Sequence, residues 1–202
     1  RRLGVPCQET TSLWCNQMMT KYAVFLRGVN VGGVNLKMAE VATALTDAGF
    51  AAVRTILASG NVLLESSAKA PAVRKKAETA LRESFGYDAW VLAYDVDAVR
   101  AIVDAYPFEP EVDGYQSYVT FVASPDGGAA VLDEFAALAE QAGADEKISR
   151  GEGVVYWQVP KGSTLDSTIG KTMGKPRYKS STTTRNVRTL AKLMLMAETK
   201  GG

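Results

Sequence analysis

The chain has 202 residues, 47% of them hydrophobic and 22% charged, and a formal net charge of +1, which is an ordinary globular composition for one or two compact units. It contains no histidine, which removes Ser-His-Asp and Cys-His catalysis, most zinc sites and the usual pH switch together. The longest apolar candidate, LAKLMLMA, falls far short of the roughly 20 residues needed to cross a bilayer, so no membrane partner is expected.

Residues 1–18 show neither strand nor helix period and lack the apolar region of a signal peptide. They are read as an unstructured extension or a cloning remnant, with the folded body beginning near Met19. Both cysteines, Cys7 and Cys15, lie in this stretch, so the body is expected to hold neither a disulfide nor a thiol nucleophile. A reducing, cytoplasmic setting fits that usage.

From there, β-rich runs bounded by Gly and Asn alternate with helical spacing such as Val41, Leu45 and Ala48. Strands are expected near 22–29, 53–58, 62–65 and 90–94, and helices near 38–48 and 72–85. That order is βαββαβ, the ferredoxin-like motif. The ASGN turn between the middle strands is a short hairpin connection.

After a helix near 96–105 and the loop YPFEPEVDGY, the order begins again. SYVTFVASPDGG is a strand running into a Gly-Gly loop, AAVLDEFAALAEQAG a helix, and EKISRGEGVVYWQV a hairpin pair. The Gly pairs lie 95 residues apart (Gly33 to Gly128) and the hairpin turns 92 apart (Gly60 to Glu152), offsets that point to an internal duplication. The fold class expected is α+β: duplicated ferredoxin-like (βαββα) halves with antiparallel sheets, 19–106 and 107–202, and a C-terminal helix. The segment PKGSTLDSTIGKTMGKPRYKSS is read as a loop, and Thr182 to Thr184 as hydroxyls capping the last helix.

In a ferredoxin-like sheet the third strand lies between the first two and runs antiparallel to both. The end of the first strand, the start of the first helix and the middle hairpin therefore share one rim. Arg27, Gly28, Asn30, Gly32 and Gly33 are thus expected near Ser59, Gly60 and Asn61, with Lys37 adding charge from the same loop. Donors converging at a helix N-terminus favour an anion. The competing reading is that the glycines serve positive φ and the asparagines cap turns. GVNVGG matches neither the dinucleotide fingerprint nor the phosphate loop, and no cofactor and no metal ligand set is read in the sequence.

The net charge hides a division. From Ser167 to Ala197 there are seven basic residues and no acidic ones, while the rest of the chain from Met19 onward carries 14 basic and 21 acidic residues. The +7 block is suited to phosphate groups or nucleic acid, or to docking on the acidic part of its own chain. Sequence-specific RNA recognition is disfavoured, because GNVLLES carries no aromatics for base stacking.

The stretches LRGVNVGGVNLKMAE, VRTILASGNVLLES and TTTRNVRTLAKL together resemble the bacterial domain of unknown function 1697 family, across nearly all of the chain from Met19 to Glu198. The resemblance implies a duplicated fold of ferredoxin-like halves and no activity. The family's C-terminal pattern, T-x-R-N-W-N-T, is matched at Thr183, Arg185, Asn186 and Thr189, whereas Val187 stands in the Trp position and Arg188 in the second Asn position. Arg185 and Asn186 are the polar contacts it leaves as candidates.

The leading expectation is a cytoplasmic module binding a phosphate-bearing small molecule or a nucleic-acid backbone at this rim. The alternatives are a metal-independent transferase or hydrolase, with a carboxylate or Tyr178 handling a proton, and a dimeric interaction protein.

Overall fold

The protein is described from a computed structural model over residues 18–29, 34–123, 128–178 and 181–199. Its first half runs β1 (Thr20–Arg27), α1 (Met38–Asp47), β2 (Ala51–Ile56), β3 (Asn61–Ser66), α2 (Ala70–Phe85), β4 (Trp90–Asp95) and α3 (Val96–Asp104). The second half repeats that order as β5 (Tyr115–Val122), α4 (Ala129–Ala137), β6 (Lys147–Arg150), β7 (Val154–Pro160), α5 (Thr168–Met173), β8 (Thr182–Asn186) and α6 (Val187–Glu198). The two four-stranded sheets, ordered β2-β3-β1-β4 and β6-β7-β5-β8, are antiparallel throughout. The fold is therefore α+β with two halves of matching topology.

Alternation along the strands sorts the core into layers. On β1, Tyr22, Val24 and Leu26 face Val41 and Leu45 of α1 and Val73, Ala77 and Leu81 of α2. Ala23 and Phe25, pointing the other way, meet Val119 and Phe121 of β5, so the two sheets pack face to face. The far side of the second sheet is covered by Leu132, Phe135 and Ile169 of α4 and α5. Phe25 and Phe121 touch across the seam with ring centroids 4.9 Å apart, and Tyr94 lies 5.1 Å from Phe121.

Helices α3 and α6 close this central layer, and each follows its strand without a loop. Asp95 caps α3 by accepting from the Asp97 N–H at 2.9 Å, and Asn186 caps α6 by accepting from the Arg188 N–H at 2.9 Å. Val187, Leu190, Leu193, Met194 and Ala197 of α6 share a cluster with Ala23, Phe25 and Leu63 of the first sheet. Its C-terminal carbonyls accept from that sheet as well: Lys21 Nζ donates to Ala197 O at 2.8 Å and Arg54 Nη2 to Met196 O at 2.7 Å. Cations at a helix C-terminus oppose the helix dipole favourably.

Two expectations for the C-terminal region need correction. Thr182 to Thr184 are not cap residues; they form most of β8, pairing with β5 from Thr182 opposite Val122 to Asn186 opposite Tyr118. A run of β-branched residues favours a strand, and the cap falls to Asn186. Each half is consequently a complete βαββαβ unit followed by a helix. The stretch 160–181, read as loop, also contains α5, capped by Ser167 Oγ accepting from the Gly170 N–H at 3.0 Å.

Candidate functional site

The shared rim forms as the strand order requires. Leu26 N donates to Gly60 O at 2.8 Å, joining the end of β1 to the β2–β3 turn. Gly60 has φ +71°, and a Cβ there would lie 3.0 Å from Leu26 Cβ and 3.1 Å from Leu26 O, so a larger residue would force the turn away from the strand. Asn61, buried opposite Phe25, closes the turn by donating through Nδ2 to Ser59 Oγ at 2.9 Å and to Ile56 O at 3.3 Å.

The remaining Asn61 atom, Oδ1, faces the second half. Arg185 lies opposite Val119 on β8, so its side chain crosses the seam. Its Nε donates to Asn61 Oδ1 at 2.6 Å, Nη1 to Thr183 Oγ1 and Thr184 O, both at 2.8 Å, and Nη2 to Leu26 O at 2.7 Å and Gly60 O at 3.4 Å. The guanidinium also lies 5.1 Å from the Phe25 ring centroid, a cation–π contact. All three nitrogens are engaged, and no carboxylate among the described residues forms an ion pair with Arg185.

A buried cation without a counter-ion is costly even when every N–H is satisfied. Burial, and then the positive charge of Arg27, push the Arg185 guanidinium down to about 10 from its ordinary 12.5, which leaves it charged at neutral pH. Arg27 is the second cation of the site. It is half-buried, desolvation lowers its own pKa, and its Nη1 is buried with no hydrogen-bond partner among the described residues. The two guanidiniums thus lie near enough at one end of the seam for the charge of Arg27 to lower the Arg185 pKa. All three nitrogens of Arg185 are engaged, and Arg27 keeps a donor unpaired among the described residues.

The other residues of the expected site divide clearly. Ser59, Gly60 and Asn61 join Arg185 at the rim, whereas Lys37 is solvent-exposed and paired with Glu40 at 3.2 Å. Asn186 is occupied in capping α6. Gly28, exposed with φ +69°, supplies a bend. Asn30, Gly32 and Gly33 lie outside the described residues.

The three arginines of the basic block are engaged within the fold. Arg177 pairs with Glu134 and Arg188 with Glu111 at 3.5 Å, both acids from outside the block, and Arg185 is buried in the seam. Tyr178 is buried with Phe135 on the far side of the second sheet, its phenol pushed up to about 12 by burial and by Glu134. It sits in a different layer from Arg27 and cannot share a reaction centre with it.

Among the described residues no helix is long and apolar enough to cross a membrane, and no three His, Cys, Asp or Glu residues are grouped to hold a metal ion. A cavity of about 540 Å³ lies elsewhere, between α3 and the β6–β7 hairpin. Nothing in the sequence reading anticipated it. The signal available was the small-residue spacing Ala98, Ala101 and Ala105, which leaves one face of α3 without bulk.

A family model described as a protein of unknown function (DUF1697) matches residues 19–156. No curated protein matches the chain. Among solved structures, a conserved bacterial protein from Streptococcus pneumoniae, SP0830, is similar with a TM-score of 0.72 at 24% identity, covering 90% of this chain and 100% of that one. That likeness is one of fold.

Proposed function

The chain belongs to the DUF1697 family, for which no activity is established, and from that premise we propose a binding module for a small phosphate-bearing ligand, held at the seam between its halves. The observation that supports this reading is the buried Nη1 of Arg27, which among the described residues has no hydrogen-bond partner, near enough to a second guanidinium to lower its pKa, with no carboxylate among those residues paired to either. In this reading Arg27 contacts the anion directly. Arg185 has no nitrogen to spare and contributes its charge from behind, while Asn61 and the β2–β3 turn hold it in place. An oxyanion at this point relieves the repulsion between the two cations, so binding energy comes partly from a cost already present in the free protein.

A small ligand is favoured over a nucleic-acid backbone because the arginines of the late basic block are engaged within the fold, Arg177 with Glu134, Arg188 with Glu111 and Arg185 in the seam, which leaves only lysines of that block to track a polymer. The test is a thermal-shift series with inorganic phosphate, pyrophosphate, a nucleoside monophosphate and a short RNA, on the wild type and Arg27→Gln. Ligand at 100 times its Kd adds about 2.7 kcal/mol, or about 5–10 °C in Tm for a chain of this size. The expected result is a shift with the small phosphates that Arg27→Gln removes. An unchanged Tm with all of them, or a shift that survives in Arg27→Gln, overturns the reading, and a shift with RNA alone replaces the small ligand by a polymer.

A further inference from the structure

Where the last residues of α6 meet β2 and β3 of the first half the cleft holds only about 10 Å³, against about 540 Å³ between α3 and the β6–β7 hairpin, and the matching topology shows why. Aligning the two capping residues, Asp95 and Asn186, places Ala98, Ala101 and Ala105 of α3 at the positions of Thr189, Lys192 and Met196 of α6. Around α6, larger side chains and the Arg54 bonds to Met196 and Thr199 fill the space against the first sheet. Around α3 the alanines leave about 540 Å³ open to the hairpin.

The floor of this cleft is built to hold its shape. Tyr156 spans it, its hydroxyl donating to Ile102 O of α3 at 2.8 Å. The hairpin lies flush on the Tyr156 ring because residue 151 is glycine: a Cβ there would sit 2.5 Å from Tyr156 Cε2 and 2.8 Å from Val154 Cγ2. Tyr94 forms another wall, and its hydroxyl makes no hydrogen bond to the described residues. A preformed, mostly apolar cleft of about 300–1,000 Å³ with a few polar groups at its edge has the form of a small-molecule site.

Charge around the cleft decides the class of ligand. Arg150 is held by Asp133 at 3.1 Å, so its charge is matched. Glu152, on the hairpin at the edge, is exposed and has no ion pair or hydrogen bond among the described residues. Ala101, Ile102 and Ala105 bring the C-terminal end of α3 to the same space, where helix carbonyls concentrate negative potential. We propose that this cleft binds a small organic cation, an amine carried on an aromatic or aliphatic body, with the body against the α3 alanines and Tyr156 and the ammonium toward Glu152. This second site has the opposite sign to the arginine seam and stands independently of it.

The test uses the full chain and three probes of similar shape: benzylamine, benzyl alcohol and benzoate, with dissociation constants measured by ligand-observed NMR. Benzylamine is expected to bind about 3- to 10-fold more tightly than benzyl alcohol, with benzoate weakest, since a partly solvated carboxylate and a helix terminus each contribute modestly. Glu152→Gln should erase most of the amine's advantage. Ala101→Leu should block all three probes, and Ala98→Leu serves the same purpose; both positions are exposed and helical, where Leu is well tolerated. Arg27→Gln should leave benzylamine binding unchanged. Equal affinity for the three probes, no benzylamine binding at millimolar concentration, or binding that persists with the cleft filled would each overturn the proposal.

Discussion

If Arg185 is a satisfied buried cation that depends on Asn61, then removing Asn61 should cost far more when Arg185 is present than when it is gone. In Asn61→Ala the guanidinium loses its 2.6 Å bond through Nε, and the turn loses the bonds to Ser59 Oγ and Ile56 O. A hydrogen bond to a charged group contributes about 1.5–3 kcal/mol and a neutral one about 0.5–1.5 kcal/mol; with the bond to exposed Ser59 counted low, the total is about 3 kcal/mol. For a chain of this length that corresponds to a Tm lowered by about 6–12 °C. In an Arg185→Met background only the turn bonds remain to be lost, about 1 kcal/mol, because no buried charge is left unpaired. The coupling energy is therefore about 2 kcal/mol, well above the few tenths seen between independent sites. Urea unfolding of the four proteins, at constant m-value, measures it. Asn61→Ala costing the same in both backgrounds, to within about 0.5 kcal/mol, would refute the idea that this bond clasps the two halves.

Phe121→Ala, at the meeting of the sheets, should destabilise by about 3–5 kcal/mol in the same assay, since Phe25 and Tyr94 both lose a ring partner. Gly60→Ala combines positive φ with a close approach to Leu26 and should cost about 1–2 kcal/mol by thermal denaturation. At high pH, Tyr94, Tyr106 and Tyr178, each pushed from 10 up to about 12 chiefly by burial, bind protons more tightly when folded than when unfolded. Their contribution is intact below pH 10 and lost as pH rises toward 12, so unfolding should accompany phenolate formation in an ultraviolet titration followed in parallel by circular dichroism. Glu134→Gln removes the partner of exposed Arg177 and should change stability by less than about 1 kcal/mol in urea.

The first half was legible because its signals are local. Alternation in KYAVFLR and NVLLES, with glycines at the turns, gave strands whose pairing obeys the ferredoxin order, and that order brought Arg27 and Asn61 to one rim. The second half was read less completely, because Thr182 to Thr184 satisfy two rules at once. Threonines before an apolar stripe look like caps, and only pairing with Tyr115–Val122, distant in sequence, makes them a strand. The same nonlocality hid the role of Arg185. Its partners Leu26 and Asn61 lie 159 and 124 positions away, in the other sheet, and no periodicity reports how two sheets stack. Lys37 was grouped with the rim by its place in the loop, but a long side chain at a helix start finds Glu40 one turn on.

The way α6 is held bears on how the polypeptide can assemble during synthesis. Lys21, among the earliest described positions, is bound to Ala197, 176 positions later, and the inner face of the first sheet is finished by residues from the last helix. A ribosome that has made only the first half has released a sheet with one oily side uncovered. Chains dominated by such distant closures acquire them late and slowly. Premature termination before α6 should therefore yield an adhesive fragment rather than a smaller working protein.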